Sequence, residues 1–177
     1  MPLTPFHFGP ALFVGLLLLS YIDLPTFLVA NVIVDFEPIL VVTMSLSYPL
    51  HGFFHSFVGG TIVAFALAII MGRVRSYLSP ILSTFRLEQK TSVKSILLAS
   101  FFGVYFHILL DSNMHGDIQP FYPLTVNPFL DRCTLSGLWL HLFLFWSFVG
   151  AVVVYALRLF FVWRLSLIHI SEPTRPY

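Results

Sequence analysis

Long apolar runs broken by short polar links dominate this chain. About twenty apolar residues cross a bilayer as a helix, and three segments meet that length clearly: residues 52–72, 92–110 and 135–162. The third is long enough to cross with tilt or to extend beyond the membrane. The N-terminal region is less regular. Residues 10–22 and 24–34 are shorter apolar runs joined at Asp23-Leu24-Pro25, a turn signal. At a helical rise of about 1.5 Å per residue the second run is too short for a full crossing, so the pair reads as a partly inserted helical hairpin. Residues 39–50 form a further apolar stretch, interfacial or re-entrant, ended by Tyr48-Pro49. The pattern predicts an all-α fold: a polytopic membrane helix bundle of three clear transmembrane helices plus an N-terminal short-helix hairpin.

Composition supports lipid as the solvent. Of the 177 residues 58% are hydrophobic and only 10% charged, with a mean hydropathy of +0.90, too little charge to cover a soluble domain. The formal net charge of +1 gives no sign of a nucleic-acid partner. A single cysteine, Cys133, excludes an intrachain disulfide framework and a CxxC-type zinc site. Residues 165–177, LSLIHISEPTRPY, change abruptly in character and resemble the in-frame translation of a sequencing-library adapter. That stretch, with His169, Glu172 and Arg175, is therefore set apart as a non-native tail, and residues 1–164 are treated as one membrane-embedded domain.

Charge orients the bundle. The link from Arg73 to Lys94 carries Arg73, Arg75, Arg86, Lys90 and Lys94 against Glu88 alone, and Arg158 and Arg164 follow the last span. The opposite side has Arg132. The positive-inside rule places the 73–94 link in the cytoplasm of a prokaryotic multi-pass cell-membrane protein, with His51, Asp111 and Asp131 facing outward.

The polar residues sort onto that outer side. His51 and His55 open the first clear span, His107 and Asp111 close the second, and His115 and Asp117 follow in the outer loop. His7 starts the hairpin behind Thr4-Pro5, an N-cap and first-turn proline, while Asp35 and Glu37 end it. His51/His55 and His107/Asp111 are each spaced four apart, which on a helix puts two ligands on one face. Imidazole with carboxylate suits zinc, manganese or iron better than calcium or magnesium. Ionisable groups in a membrane are functional by default, because leaving them unpaired in lipid is costly. The metal candidates are His7, Asp35, His51, His55, His107, Asp111 and His115, holding one or two divalent ions. Glu37 and Asp117 are the carboxylates for acid–base work, with Glu37 also placed to orient a ligand histidine and Asp117 placed equally well to solvate its loop. His141, with no titratable neighbour three or four positions away, reads as a packing residue. Asp23 and Asp131 read as turn and interface residues, Gly59-Gly60 as a close helix contact, and Trp139, Trp146 and Trp163 as interfacial anchors or lipid-facing bulk.

These motifs resemble the YdjM-like family of membrane-bound metal-dependent hydrolases of bacteria and archaea. The family pattern has an early histidine, then D-x-D-H, H-R-G-x-T-H-S and S-H-[IL]-x-x-D elements before a Pro/Gly-rich loop. TPFHFGPAL around His7, VDFEP at Asp35 to Glu37, LHGFFHSF at His51 to Ser56, and YFHILLDSNMHGDIQPFYP from Tyr105 to Pro123 follow it in order. The chain departs from it at Glu37, in place of Asp, at Pro38, in place of His, and in a histidine pair one residue closer. His115 is the imidazole available to stand in for the missing one.

The resemblance implies a metal-dependent hydrolase acting on a phosphoester or other ester, with an amphiphilic or lipid substrate suited to a site at membrane level. The alternatives are a metal or proton transporter, or a non-catalytic protein with a structural metal site. An intramembrane zinc protease would need HExxH, but Gly52 stands where its Glu belongs. A di-iron hydroxylase would need several histidine boxes on the cytoplasmic face.

Overall fold

The computed structural model describes residues 7–130 and 136–171. Thr4-Pro5, Asp131, Arg132 and the tail beyond Ser171 lie outside the described residues. All regular structure within them is helical: α1 (Phe8–Leu17), α2 (Leu24–Ile33), α3 (Phe36–Thr43), α4 (Phe57–Val74), α5 (Ser79–Thr84), α6 (Val93–Met114) and α7 (Ser136–Ser171), with short 3-10 turns at Phe53–His55 and Arg75–Leu78.

Side-chain caps set the starts of α2, α4 and α6. Asp23 caps α2, accepting from Thr26 N at 3.2 Å and Thr26 Oγ1 at 2.6 Å, with a proline in the first turn where its missing N–H costs nothing. Ser56 caps α4 through Gly59 N, and Ser92 forms a reciprocal capping box with Ser95 on α6. Asp35 stands in the cap position of α3, yet its side chain makes no capping bond.

The hairpin of α1 and α2 is present, and its second arm goes further than the two short runs imply. Only Val34 and Asp35 separate α2 from α3, so Leu24–Thr43 forms a 20-residue apolar segment. Pro38 does not prevent this, because it falls in the first turn of α3. With Phe57–Thr84, Val93–Met114 and His141–Arg164, four helices among the described residues are long and apolar enough to cross a membrane.

Contacts fix the directions of the helices. At one end Asp23 N bonds Ser95 O, Arg75 Nε meets Asp23 Oδ1 at 2.5 Å, and Gln89 grips the α1–α2 turn through Leu19 O, Ile22 O and Leu24 N. Asp23 is thus a buried ion-pair partner as well as a turn residue, and Arg75, with both side chains at most 5% exposed, is spent on it. From that end α2 and α6 rise side by side, while α1, α4 and α7 run the other way.

The core lies between α2, α4 and α6, where Ala30, Val34, Ala64, Leu67, Val104 and Ile108 pack together. Small residues draw the helices in: a Cβ on Gly60 would stand 2.6 Å from Ile108 Cδ1, and one on Gly103 would overlap Ala30 Cβ. α7 packs on α1 and the turn after it through Ala151, Leu16 and Leu19. Its most apolar window is only 17% buried, against 44% for α6, and Trp139, Trp146, Val152 and Phe161 stand on its exposed face. Such a continuous apolar exterior suits lipid.

Candidate metal centre

All nine polar residues singled out in the sequence come together at the other end of the bundle. His107 lies twelve residues beyond Ser95 on α6, about 18 Å of helix from the Asp23–Arg75 pair. His7 comes from the start of α1, Asp35 and Glu37 from the α2–α3 junction, and His51 and His55 from the approach to α4. His107 and Asp111 come from α6, with His115 as its C-terminal cap and Asp117 just beyond.

At the centre, His107 Nε2 lies 3.4 Å from Asp35 Oδ1 and 3.3 Å from Asp111 Oδ2. His55 Nε2 is 4.0 Å from each of the same two carboxylates. His7 Nε2 approaches Asp111 Oδ1 at 2.9 Å, but the two are not aligned for a hydrogen bond, so both atoms remain without a hydrogen-bond partner. Ligands at about 2.0–2.2 Å from one ion stand roughly 3–3.5 Å from each other. The separations here therefore match, or slightly exceed, those of a shared ion.

Histidine tautomers support the same picture. His107 Nδ1 sits 2.8 Å from the Asn31 carbonyl, His55 Nδ1 2.9 Å from Glu37 Oε2, and His51 Nδ1 2.9 Å from Asp117 Oδ2. A carbonyl or ionised carboxylate can only accept, so each Nδ1 carries a hydrogen, and in the neutral ring Nε2 is the atom that offers a lone pair. The Nε2 atoms of His55 and His107 are buried without a hydrogen-bond partner. An unsatisfied buried nitrogen costs about 1–3 kcal/mol, and two beside shared carboxylates are the arrangement a cation relieves. Outer acceptors that fix ring orientation are the usual support of metal-bound histidine.

Two ligand groups emerge. Asp35, His55, His107 and Asp111 form one, His51, Asp111 and His115 the other, and in each the ligand atoms lie within 4.8 Å of one another. Asp111 belongs to both. The His51 and His115 ring centroids are 4.4 Å apart, and those of His7 and His107 4.7 Å. A buried Asp/His cluster of this kind can hold a metal ion.

Glu37 and Asp117 occupy different surroundings. Glu37 is buried and uses its oxygens on His55 Nδ1 and on Phe54 N at 3.3 Å, which is the orienting role. Asp117 is the cluster's most exposed carboxylate, with 46% of its side chain accessible against 11% or less for Asp35, Glu37 and Asp111. Partial burial pushes Asp117 up, but the hydrogen bond and charge of His51 outweigh it and hold the carboxyl below its usual value. Burial keeps His115 below the ordinary imidazole value despite Asp111 nearby, which favours the neutral form a metal requires.

His141 stands exposed on α7 and belongs to neither ligand group. Sequence reasoning missed Asn31, whose main chain anchors His107. A buried asparagine inside an apolar run was the available signal, although nothing in it points to the carbonyl. No family model, curated protein or solved structure matches this chain.

Proposed function

We propose that the cluster is the centre of a membrane-bound, metal-dependent hydrolase of the YdjM-like type, cleaving a phosphoester or other ester of an amphiphile. The observation that carries this reading is the pair of buried ligand groups sharing Asp111, with histidines whose Nδ1 atoms are already committed outward. His7, Asp35, His55, His107 and Asp111 would hold one ion, and His51, His115 and Asp111 a second. The nitrogen and oxygen donors suit zinc, with manganese or iron next. An ion in such a site supplies Lewis-acid polarisation of the ester oxygen and a water acidified to near neutrality.

The protein's own groups account for the rest. Glu37, Asp117 and the Asn31 carbonyl keep the histidines in the ligating tautomer. Asp117, open to solvent beside His51, takes the proton as water oxygen adds to the acyl carbon or phosphorus. The ester bond then breaks, and the departing alkoxide oxygen takes that proton back from Asp117 and leaves as the alcohol. The basic residues Arg73, Arg86, Lys90 and Lys94 belong to the opposite end, so the positive-inside rule faces the cluster outward across a prokaryotic cell membrane.

Transport is the weaker reading. Between the cluster and the Asp23–Arg75 pair, α2, α4 and α6 carry no Asp, Glu, Lys, Arg or His apart from Arg73, two residues from Arg75, leaving no charged path through the bundle.

The test is hydrolysis of p-nitrophenyl acyl esters and phosphodiesters by the purified protein, before and after chelation, with zinc or manganese restored. Turnover that chelation abolishes, metal restores and Asp111→Ala removes supports the reading. Stable metal binding with no hydrolysis of either ester class would favour a structural metal instead.

A further inference from the structure

Two cavities meet at the cluster, and their linings differ in kind. One, of about 320 Å³, carries polar side chains: His51, Asp117, Gln119 and Tyr122. The other, of about 480 Å³, is apolar, walled by Ile33, Leu40, Val41, Leu46, Phe54 and Val63. Both volumes fall in the range of small-molecule sites. Tyr48 and Phe53 line both cavities, and the Tyr48 hydroxyl accepts from Phe53 N at 3.0 Å, so one hydrogen-bonded partition separates the chambers.

The apolar chamber adjoins the chemistry. Its single ionisable wall residue apart from Tyr48 is Glu37, the carboxylate that holds His55 Nδ1. Of its wall, Ile33, Phe36, Leu46 and Phe54 are exposed, an apolar surface of the kind that faces lipid. The cluster itself lies about 18 Å along α6 from the Asp23–Arg75 pair, at the end of helices long and apolar enough to cross a membrane. A water-soluble substrate has no use for a groove of this lining, and a bilayer lipid reaches it by lateral diffusion.

We propose that the apolar chamber seats one acyl chain of a membrane glycerolipid whose polar head lies in the His51–Asp117 pocket. The binding site stands on the two cavities; its role as a substrate site rests on the hydrolase reading above. Tyr48 and Phe53 mark the boundary between chain and head, so the ester linkage sits beside the second ligand group. The chamber also sets chain-length preference, because Val41 and Leu40 form its wall.

The test uses the full chain in phosphatidylcholine nanodiscs containing a phosphatidylglycerol with a diazirine on one acyl chain. After photolysis, labelled peptides are mapped and bound metal is measured on the same sample. The expected result is several-fold denser labelling of residues 33–46 and 53–63 than of the lipid-exposed face at 152–161. Val41→Trp and, as an independent second variant, Leu40→Trp should each reduce the groove labelling several-fold and leave the 152–161 labelling unchanged. Equal density on both surfaces, insensitive to either variant in protein that retains its thermal transition, overturns the proposal. Groove labelling in protein that holds no metal would sustain the lipid site while removing the hydrolytic centre, so the two ideas fail separately.

Discussion

His107 Nδ1 and the Asn31 carbonyl oxygen are 2.8 Å apart, a hydrogen bond that ties α6 to α2 at the cluster end of the bundle. It decides which ring nitrogen of His107 faces Asp35 and Asp111. The bond is possible because Gly103, one turn earlier on α6, lets α2 come close. Packing and candidate chemistry are therefore coupled through a single small residue.

Gly103→Ala tests that coupling. Its Cβ would overlap Ala30 Cβ and stand 3.0 Å from Phe27 O, forcing the helices apart at a cost of roughly 1–3 kcal/mol. Thermal unfolding should register that loss, and metal affinity should fall with it. Gly72→Ala on α4, where nothing lies within 4 Å, should be neutral or stabilising by up to about 1 kcal/mol.

Much of this arrangement was readable from residues alone. The runs at 52–72, 92–110 and 135–162 anticipate α4, α6 and α7, because a membrane helix needs only length and apolarity to declare itself. His7, Asp35, His51, His55, His107, Asp111 and His115 were legible as a group, since ionisable side chains at membrane depth must pair with one another or with an ion. The union of α2 and α3 was less visible, because Pro38 reads as a breaker until its first-turn position is known. Which carboxylate serves which histidine was not legible at all. Glu37 pairs with His55 across eighteen positions and Asp117 with His51 across sixty-six, and such partners are set by the tertiary fold.

Glu37→Gln should separate orientation from ligation. It keeps an acceptor for the hydrogen of His55 Nδ1 but removes the charge that raises ligand basicity. Metal affinity, read by competition with a chromogenic chelator, should fall about 10–100-fold, with helix content unchanged by circular dichroism.

Asp23→Ala should do the reverse. It strands the buried Arg75 guanidinium, and breaking such a pair costs about 3–5 kcal/mol. Thermal stability should drop sharply, whereas metal content per folded chain should stay the same, since the pair lies at the far end of the bundle.

The metal-free protein should lose stability on acidification, partly through His115. Its folded value is lowered by burial, so the unfolded chain binds its proton more readily, and stability is lost as pH falls from about 6.5. Asp117, also lowered, adds a loss of the same sign below about pH 4. Thermal midpoints of chelated protein between about pH 8 and about pH 5.5 should therefore fall less steeply in His115→Gln than in the unaltered chain.

The most direct measurement is the metal content of the purified protein by elemental analysis, for the unaltered chain and for His107→Ala and His115→Ala. Two ligand groups sharing Asp111 predict two ions per chain, one retained in His115→Ala, and loss of the buried ion in His107→Ala. Substoichiometric traces of metal in all three proteins, unchanged by either substitution, would contradict a metal centre at this end of the bundle.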